Sequence, residues 1–216
     1  MSFKGAIFDL DGVIVNTVPL HFKAWKKMFE EYGREFTMDD YEDKVDGIPR
    51  MDGARAILTD FSEEELEKAA AKKQGYFSES LKAEGVDVYE TTVKLIKQLR
   101  EHSIKISVIS SSRNCPGILE KTGLYPFIDV EISGKRIVRG KPDPWIFLTA
   151  AKKLNLMPEE CVVFEDAVLG VEAGKRGGMF TIGVDRRGAP ERLKKANIVI
   201  KDAGEVDYKK LNTFIK

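Results

Sequence analysis

Two aspartates, separated by one residue, end a short apolar run near the start of the chain: Phe3-Lys-Gly-Ala-Ile-Phe-Asp-Leu-Asp-Gly12. Apolar runs of this length that end at a glycine are typical of buried strands in parallel sheets. Residues i and i+2 of a strand point the same way, so Asp9 and Asp11 are expected side by side at its carboxyl end. Paired carboxylates repel each other unless a cation or a shared proton lies between them, and a hard divalent ion such as Mg²⁺ would bind both.

Two other interpretations apply to the same stretch. A strand that ends in an Asx-type turn is also rich in Asp and Gly, and such a turn binds nothing. An EF-hand calcium loop is excluded, because Val13 occupies the third ligand position of that pattern. The aspartate pair alone therefore leaves both a metal site and a plain turn open.

Three more polar groups lie at or near the ends of predicted strands. They are the stretch Ser110-Ser-Ser-Arg-Asn114, Lys141 before Pro142, and the pair Glu165-Asp166. Taken singly, they are typical of a helix-capping loop, a surface dipeptide and a solvated turn. Taken together with the two aspartates, they supply what phosphoryl transfer requires. Carboxylates hold Mg²⁺, a hydroxyl and backbone N–H groups bind phosphate oxygens, and a lysine neutralises the developing charge.

Nucleotide binding through a P-loop is excluded as the basis of such a site. The segment Gly170-x-x-x-Gly174-Lys-Arg lacks both the spacing of that motif and its Ser or Thr. The small residues Gly170, Ala173 and Gly174 instead predict a helix face that packs closely against the sheet.

Strand and helix patterns alternate from residue 87 to the end of the chain. We predict strands at 105–110, 161–164, 180–184 and 198–200, with helices between them. The stretches 130–132 and 137–138 flank Ser133-Gly-Lys-Arg136 and predict a small hairpin or flap. Strands that alternate with helices imply right-handed crossovers and one parallel sheet, so the predicted fold class is α/β.

The segment between residues 16 and 86 contains helix patterns only. Phe22, Trp25 and Phe29 follow helical spacing, and Ser62-Glu-Glu-Glu65 is a capping box that begins a long helix. The predicted organisation is a core of residues 1–15 and 87–216, with a helical module of residues 16–86 inserted after the first strand.

The overall composition argues against several classes of function. Lys plus Arg and Asp plus Glu number 35 each, so the formal charge is zero and favours neither nucleic acid nor an anionic membrane surface. No apolar stretch reaches transmembrane length, and the N-terminus lacks a signal-peptide pattern. Cys115 and Cys161 have no metal-binding spacing and are expected as reduced thiols. We expect a cytoplasmic, monomeric protein whose partner is a small molecule.

The polar groups, in this order, resemble the four motifs of the haloacid dehalogenase superfamily of phosphotransferases, and the likeness covers nearly the whole chain. The matching residues are Asp9-x-Asp11-Gly12, Ser110, Lys141 and Glu165-Asp166. The stretches His21-Phe-Lys-Ala-Trp25, Gly47-Ile-Pro-Arg50 and Lys141-Pro-x-Pro144 resemble the β-phosphoglucomutase-like branch of that superfamily. The resemblance implies a Rossmann-like parallel-sheet core, with the helical module as a small inserted cap domain.

The resemblance also implies a role for each matched residue. Asp9 would be the nucleophile that forms an aspartyl-phosphate, Asp11 the general acid and then the general base, and Lys141 a catalytic cation at the phosphoryl group. The implied ligands of Mg²⁺, for which Mn²⁺ or Co²⁺ could substitute, are Asp9, the backbone carbonyl of Asp11, Glu165 and Asp166. The implied substrate and phosphate-binding residues are Ser110, Arg113, Asn114, His21, Gly47, Arg50 and Lys72. Dehalogenases of the superfamily lack the second aspartate, so Asp11 argues against dehalogenation.

Two positions depart from the mutase pattern of this branch. Mutases usually carry Lys before the glycine that matches Gly47, where this chain has Asp46, and Ser where this chain has Gly53. A carboxylate at position 46 would repel the distal phosphate of a bisphosphate intermediate. We therefore predict a phosphatase that hydrolyses small phosphorylated carbohydrates, with β-phosphoglucomutase activity as the alternative.

Some of the implied residues have simpler explanations. His21 would also fit a packed histidine, and Lys72, beside Lys73 in a charged helix, a solvated cation. A non-catalytic ligand-binding protein with this fold is a further alternative. Such a protein would be expected to have lost Asp9 or Lys141, and this chain has both.

Overall fold

The computed structural model describes residues 3–134 and 137–215, and a six-stranded parallel sheet lies at its centre. The strands of the described residues are β1 (Gly5–Asp9), β2 (Val15–Asn16), β3 (Asp87–Val88), β4 (Lys105–Ser110), β5 (Val130–Ser133), β6 (Cys161–Glu165), β7 (Phe180–Val184) and β8 (Ile198–Ile200). The six strands of the sheet follow the order β5-β4-β1-β6-β7-β8, and each pairs in parallel with its neighbour. The predicted α/β class and parallel sheet are thus confirmed.

Helices connect these strands and cover the sheet. The α-helices are α1 (Val18–Glu31), α2 (Met38–Asp40), α3 (Arg50–Ile57), α4 (Glu63–Glu84), α5 (Glu90–Glu101), α6 (Cys115–Lys121), α7 (Trp145–Lys153), α8 (Val168–Arg176) and α9 (Tyr208–Phe214). A π-helical turn, Tyr41–Val45, follows α2, and single 3₁₀ turns lie at Tyr125–Phe127, Pro158–Glu160, Pro190–Leu193 and Ala203–Glu205. Across 3–134 and 137–215, none of these helices is both long and apolar enough to cross a bilayer.

The predicted first strand lies at the centre of the sheet. Every residue of β1 is buried, and β4 and β6 flank it on either side. Ile7 belongs to the apolar layer on one face and Phe8 to the layer on the other, where the Phe8 ring stacks on Phe164 at 4.5 Å. Because the flanking strands run parallel to β1, the carboxyl ends of all three meet at one edge of the sheet. That edge carries Asp9, Ser110 and Glu165, the last residues of the three strands.

The hairpin predicted around residues 133–136 is wrong as far as the structure describes it. Residues 130–133 form β5, the edge strand that pairs in parallel with β4. Residues 137–140 form no strand, while Lys135 and Arg136 lie outside the described residues. Two short apolar stretches with a turn between them are compatible with a hairpin or with an edge strand. In the structure the first stretch pairs with β4 and forms the edge strand.

The helices between β2 and β3 pack on one another around their own apolar cluster, and we call residues 18–84 the helical segment. Trp25, Phe29 and Phe36 lie in that cluster. The predicted capping box is present at the start of α4, where Ser62 and Glu65 exchange hydrogen bonds. The antiparallel pair β2 and β3 joins the segment to the rest of the chain. The domain boundaries predicted at residues 15–16 and 86–87 fall on this pair and stay a prediction.

Candidate active site

A cavity of about 480 Å³ lies between the carboxyl edge of the sheet and the helical segment. Its inner end is acidic, and its outer end is basic. The core contributes Asp9, Asp11, Ser111, Ser112, Arg113, Glu165 and Asp166, and the helical segment contributes His21, Asp46, Gly47, Arg50, Lys73 and Gln74. Pockets of this size commonly bind small metabolites.

Lys141 joins two of the buried carboxylates at the inner end. Its Nζ lies 2.6 Å from Asp9 Oδ1 and 2.7 Å from Glu165 Oε2, and all three side chains are almost completely buried. Burial alone would lower the pKa of Lys141, but the carboxylates of Asp9 and Glu165 raise it above its ordinary value. The lysine is therefore a fixed positive charge beside Asp9.

Asp9, Glu165 and Asp166 form a group of carboxylates whose oxygens lie within 4.8 Å of one another. Burial raises the pKa of each, and repulsion from Glu165 raises the pKa of Asp9 and of Asp166 further. Lys141 offsets only part of this negative charge. Closely spaced, buried carboxylate oxygens are the hard donors that Mg²⁺ prefers, so this group fits the ion. The side chain of Asp11 does not belong to the group.

Two glycines give these carboxylates room. Gly12 has a φ of +78°, and a Cβ there would lie 1.9 Å from Asp166 Oδ2. A Cβ at Gly170 would lie 2.1 Å from Glu165 Cδ. The small-residue face predicted for α8 therefore packs against the end of β6, and it does so at the Glu165 side chain.

Asp11 lies on the loop after β1 and is held by three donors. Ser110 Oγ donates to Asp11 Oδ2 at 2.7 Å, the Thr17 hydroxyl donates to Oδ1, and His21 Nε2 lies 3.5 Å from Oδ1. Burial by itself raises the pKa of Asp11, but the hydrogen bonds from His21, Thr17 and Ser110 outweigh it and lower the pKa below its usual range. The site thus stabilises the ionised form of Asp11.

His21 and Lys73 extend this chain of contacts into the helical segment. Lys73 Nζ lies 2.8 Å from His21 Nδ1, and the His21 ring stacks on Phe77 at 4.1 Å. Lys73 donates a hydrogen bond that Nδ1 accepts, so the neutral imidazole carries its hydrogen on Nε2, which faces Asp11. Burial lowers the pKa of Lys73 to about 7, and Arg50 contributes to the decrease.

The structure corrects the prediction for Lys72. Its Nζ pairs with Glu31 at 2.8 Å on the surface of the helical segment, and its side chain is 42% exposed. Lys73, which is 3% exposed, lines the pocket instead. The signal was in the sequence, because Leu66, Ala70, Lys73 and Phe77 follow helical spacing along one face.

The outer end of the cavity contains two guanidinium groups and a chain of amides. Arg50 donates to Gln74, Gln74 donates to Asn114, and Asn114 donates to Ser112. Burial lowers the pKa of Arg50, and the nearby charge of Arg113 adds to this effect. Neither arginine has a carboxylate partner within the described ranges. Two cations that repel each other at a cavity mouth can bind an anion.

Asp46 was predicted to repel a distal phosphate, but it lies near the inner carboxylates of the cavity. Its carboxylate accepts a hydrogen bond from Arg187 at 2.9 Å and contributes to raising the pKa of Asp166, so it belongs to the inner end. The repulsion predicted between Asp46 and a distal phosphate is therefore offset by Arg187. Gly53 does not line the cavity but packs under Trp25, and a Cβ there would lie 2.9 Å from the indole ring.

The other predicted site residues lie around the cavity. Ser111 Oγ donates to the Gly47 carbonyl at 2.8 Å, so the Gly47 loop of the helical segment contacts the core. Ser110 contacts Asp11 and accepts from the Ser112 amide. Sequence reasoning missed Thr17, Gln74, Lys73 and Arg187. Only Lys73 had a local signal, since the others are ordinary polar residues until the fold brings them to the site.

Comparisons with known proteins agree with this arrangement. A family profile described as haloacid dehalogenase-like hydrolase matches residues 6–184. The chain is 33% identical to the β-phosphoglucomutase of Bacillus subtilis, over 97% of this chain and 94% of that protein. It is 34% identical to a phosphorylated carbohydrates phosphatase of Thermotoga maritima, over 83% of each.

Solved structures show the same likeness. The crystal structure of β-phosphoglucomutase from Clostridium difficile superposes with a TM-score of 0.90 at 31% identity, covering 99% of this chain and 97% of that one. The family match spans most of the sheet and the whole helical segment. The chain is therefore an enzyme of the haloacid dehalogenase-like hydrolase family, in its β-phosphoglucomutase-like branch.

Proposed function

We propose that the protein is a Mg²⁺-dependent phosphatase that hydrolyses small phosphorylated carbohydrates through an aspartyl-phosphate. The observation that carries the proposal is the contact of Lys141 with Asp9 at 2.6 Å, beside an Asp11 carboxylate held in its ionised form. A nucleophile, a fixed cation and a proton acceptor thus lie together in a cavity of metabolite size.

In the first step an oxygen of Asp9 would bond to phosphorus while the bond from phosphorus to the sugar oxygen breaks. Asp11, which takes up a proton from water in the second step of the preceding turnover, would give that proton to the leaving oxygen and return to its ionised form. Hydrogen bonds from Ser110, Thr17 and His21 stabilise the carboxylate that remains. Lys141 would balance charge on the phosphoryl oxygens.

In the second step water would attack phosphorus, give its proton to Asp11, and break the bond between phosphorus and Asp9. The products are inorganic phosphate and the free carboxylate of Asp9. Asp9, Glu165 and Asp166 would hold Mg²⁺, as would the Asp11 carbonyl if the family resemblance extends to it. When bound, the ion would neutralise charge on the phosphate and on the carboxylates around it.

The composition of the cavity and the names of the relatives support carbohydrate phosphates as substrates. Relatives of similar identity include a phosphorylated carbohydrates phosphatase and, at 28% identity, an Escherichia coli fructose-1-phosphate phosphatase. Hydroxyl, amide and carboxylate groups all line the cavity and suit a polyhydroxylated ligand.

One observation favours β-phosphoglucomutase activity as a second candidate. A mutase passes the phosphoryl group to a sugar that already carries one phosphate, so it must bind two phosphates at once. Arg50 and Arg113 at the outer end have no carboxylate partner among residues 3–134 and 137–215, and a second phosphate would satisfy both. We prefer hydrolysis because position 46 carries a carboxylate paired with Arg187. This residue adds no positive charge for the binding of a second phosphate.

Phosphorus NMR would distinguish the two activities. The enzyme would be incubated with β-glucose 1-phosphate, Mg²⁺ and a trace of glucose 1,6-bisphosphate, beside an Asp9→Asn control. Release of inorganic phosphate that the control lacks would support the phosphatase. Conversion to glucose 6-phosphate would establish the mutase and refute the preference based on Asp46. An unchanged substrate would refute glucose 1-phosphate as the substrate, and a broad panel of phosphate esters that includes fructose 1-phosphate would be tested next.

A further inference from the structure

Arg187 of the core joins the helical segment to the acidic end of the cavity. Arg187 lies on the loop after β7, and its Nη1 is 2.9 Å from Glu42 Oε1 while its Nη2 is 2.9 Å from Asp46 Oδ2. The same Nη2 lies 3.8 Å from Asp166. One guanidinium thus contacts two carboxylates of the helical segment and one of the candidate metal ligands.

A second arginine of the same loop strengthens the contact. Arg192 pairs with Glu42 and lies 3.6 Å from Asp43. We call Arg187, Arg192, Glu42, Asp43 and Asp46 the latch. Four of these five side chains are half-buried or buried, and only Asp43 is largely exposed. Salt therefore screens the four less than it screens surface pairs.

Local structure on the core side holds the latch arginine in place. The Asp185 carboxylate accepts hydrogen bonds from the backbone N–H groups of Arg187 and Ala189, both at 3.1 Å. Arg186, the preceding residue, points the other way and donates to the carbonyls of Gly12 and Val13. The backbone of the loop is thereby fixed to β7 and to the loop after β1.

Local structure on the other side places the latch carboxylates beside the cavity wall. They lie on the π-helical turn Tyr41–Val45 and its next residue, and that turn is anchored because Tyr41 and Val45 are buried. The following residue is Gly47, whose carbonyl accepts from Ser111 and at which an added Cβ would lie 3.1 Å from the Cβ of Ala167. The latch therefore fixes the stretch of the helical segment that covers the cavity.

We infer that Arg187 is a positioning residue that keeps the helical segment closed on the core and so keeps His21 against Asp11. When the latch is broken, the helical segment can move away from the core. His21, Arg50 and Lys73 then move away from the inner carboxylates with it. A substrate that binds only the closed arrangement then binds more weakly, by the factor by which the closed fraction falls. The effect on substrate rests on the proposed function, whereas the effect on closure does not.

Hydrogen–deuterium exchange on the full chain tests the closure directly. We expect Arg187→Gln to speed exchange of the amides of residues 41–50 at least about tenfold, with β1 and β4 unchanged. The matched control is Arg176→Gln, which removes a surface pair with Glu172 within one helix and should exchange like the wild type. Unchanged exchange at 41–50 in Arg187→Gln would overturn the inference.

Two further variants test whether Arg187→Gln acts only through its contact with Asp166. Arg192→Gln removes latch contacts without touching the carboxylate group, and we expect a smaller increase over the same residues 41–50. In the double variant Asp46→Asn with Arg187→Gln, amides 41–50 should exchange no faster than in Arg187→Gln alone. The reason is that Asp46→Asn removes an ion pair that Arg187→Gln has already broken. Additive effects, or an increase confined to residues 165–170, would refute the latch.

Kinetics provide the second readout. Arg187→Gln should raise KM for β-glucose 1-phosphate about tenfold and lower kcat less, because saturating substrate restores closure. Arg187→Lys should recover part of the loss, since one ammonium can reach one of the two carboxylates. A fall in kcat with unchanged KM would contradict the inference. If no variant or wild type turns over a sugar phosphate, the proposed function fails while the exchange result stands.

Discussion

Replacing Lys73 by Met distinguishes its role from that of its neighbour Lys72. The substitution should raise stability and lower activity. Lys73 is 3% exposed, and its ammonium lies between His21 Nδ1 at 2.8 Å and the ring of Trp25 at 4.8 Å. Methionine has a similar length and no charge, so it fills the space without the cost of burying an ammonium. We expect Lys73→Met to be more stable and less active than the wild type.

The stability gain follows from the pKa of Lys73, which burial lowers from 10.5 to about 7. Between pH 7 and 10.5 the unfolded chain binds more protons than the folded protein, so wild-type stability rises with pH in that range. Below pH 7 the cost of the buried charge is fully present. Replacing buried ion pairs by apolar residues is neutral or gains up to about 4 kcal/mol, so we expect a gain within that range at pH 6 that shrinks towards pH 10.

The activity loss follows from His21. Without Lys73, no donor fixes the hydrogen of His21 on Nε2, and the hydrogen bond to Asp11 weakens. We expect kcat/KM for phosphate release from β-glucose 1-phosphate to fall about 100-fold, at the low end of general acid–base contributions.

Urea unfolding at pH 6 and pH 10 and initial rates would be measured beside Lys72→Met. That control removes a lysine one position away whose partner, Glu31, lies on the surface. Lys72→Met should match the wild type in both measurements. A Lys73→Met protein less stable than the wild type at pH 6, or a stability difference that does not change with pH, would refute the reasoning from burial. Equal activity of the two variants would refute the role of His21.

Three other substitutions test the inner end of the site. Asp9→Asn should abolish phosphate release without lowering Tm, because it removes a nucleophile and relieves repulsion with Glu165; a lower Tm would contradict this. Asp166→Asn should weaken Mg²⁺ binding at least about tenfold by calorimetry, and unchanged affinity would remove it from the ligand set. Gly12→Ala should cost about 1–3 kcal/mol in urea unfolding, because its φ is +78° and its Cβ would meet Asp166.

The inner end of the site was predictable because local patterns and one rule of topology determine it. The polar groups at the ends of β1, β4 and β6 lie on short strands that are almost entirely buried. Once the strands are assigned to one parallel sheet, their carboxyl ends must lie at one edge, and no knowledge of the loops is needed. The loop that carries Lys141 was harder, since the hairpin predicted before it does not form.

The outer end depends on contacts that no local pattern encodes. Neighbouring residues of a helix point about 100° apart, so an error of one position turns a pocket lysine into a surface lysine. Lys72 and Lys73 show this error. Arg187 and Asp46 are 141 residues apart, and nothing near either of them in sequence indicates the other. Asp46 was therefore interpreted as a bare charge, although the fold supplies its partner.

The two ends of the cavity are held in place by different means, and this difference bears on how substrate choice can change. Strand ends fix Asp9 and Glu165, which the sheet keeps in register whatever the helical segment does. Side chains that reach across from the helical segment at the outer end, such as Arg50 and Gln74, keep their positions only while contacts such as Arg187 with Asp46 hold. Phosphoryl transfer needs mainly the first set, and recognition of the rest of the substrate needs the second. Substitutions of outer-end residues of the helical segment, such as Arg50 and Gln74, should therefore alter substrate choice before they alter the bond-breaking steps.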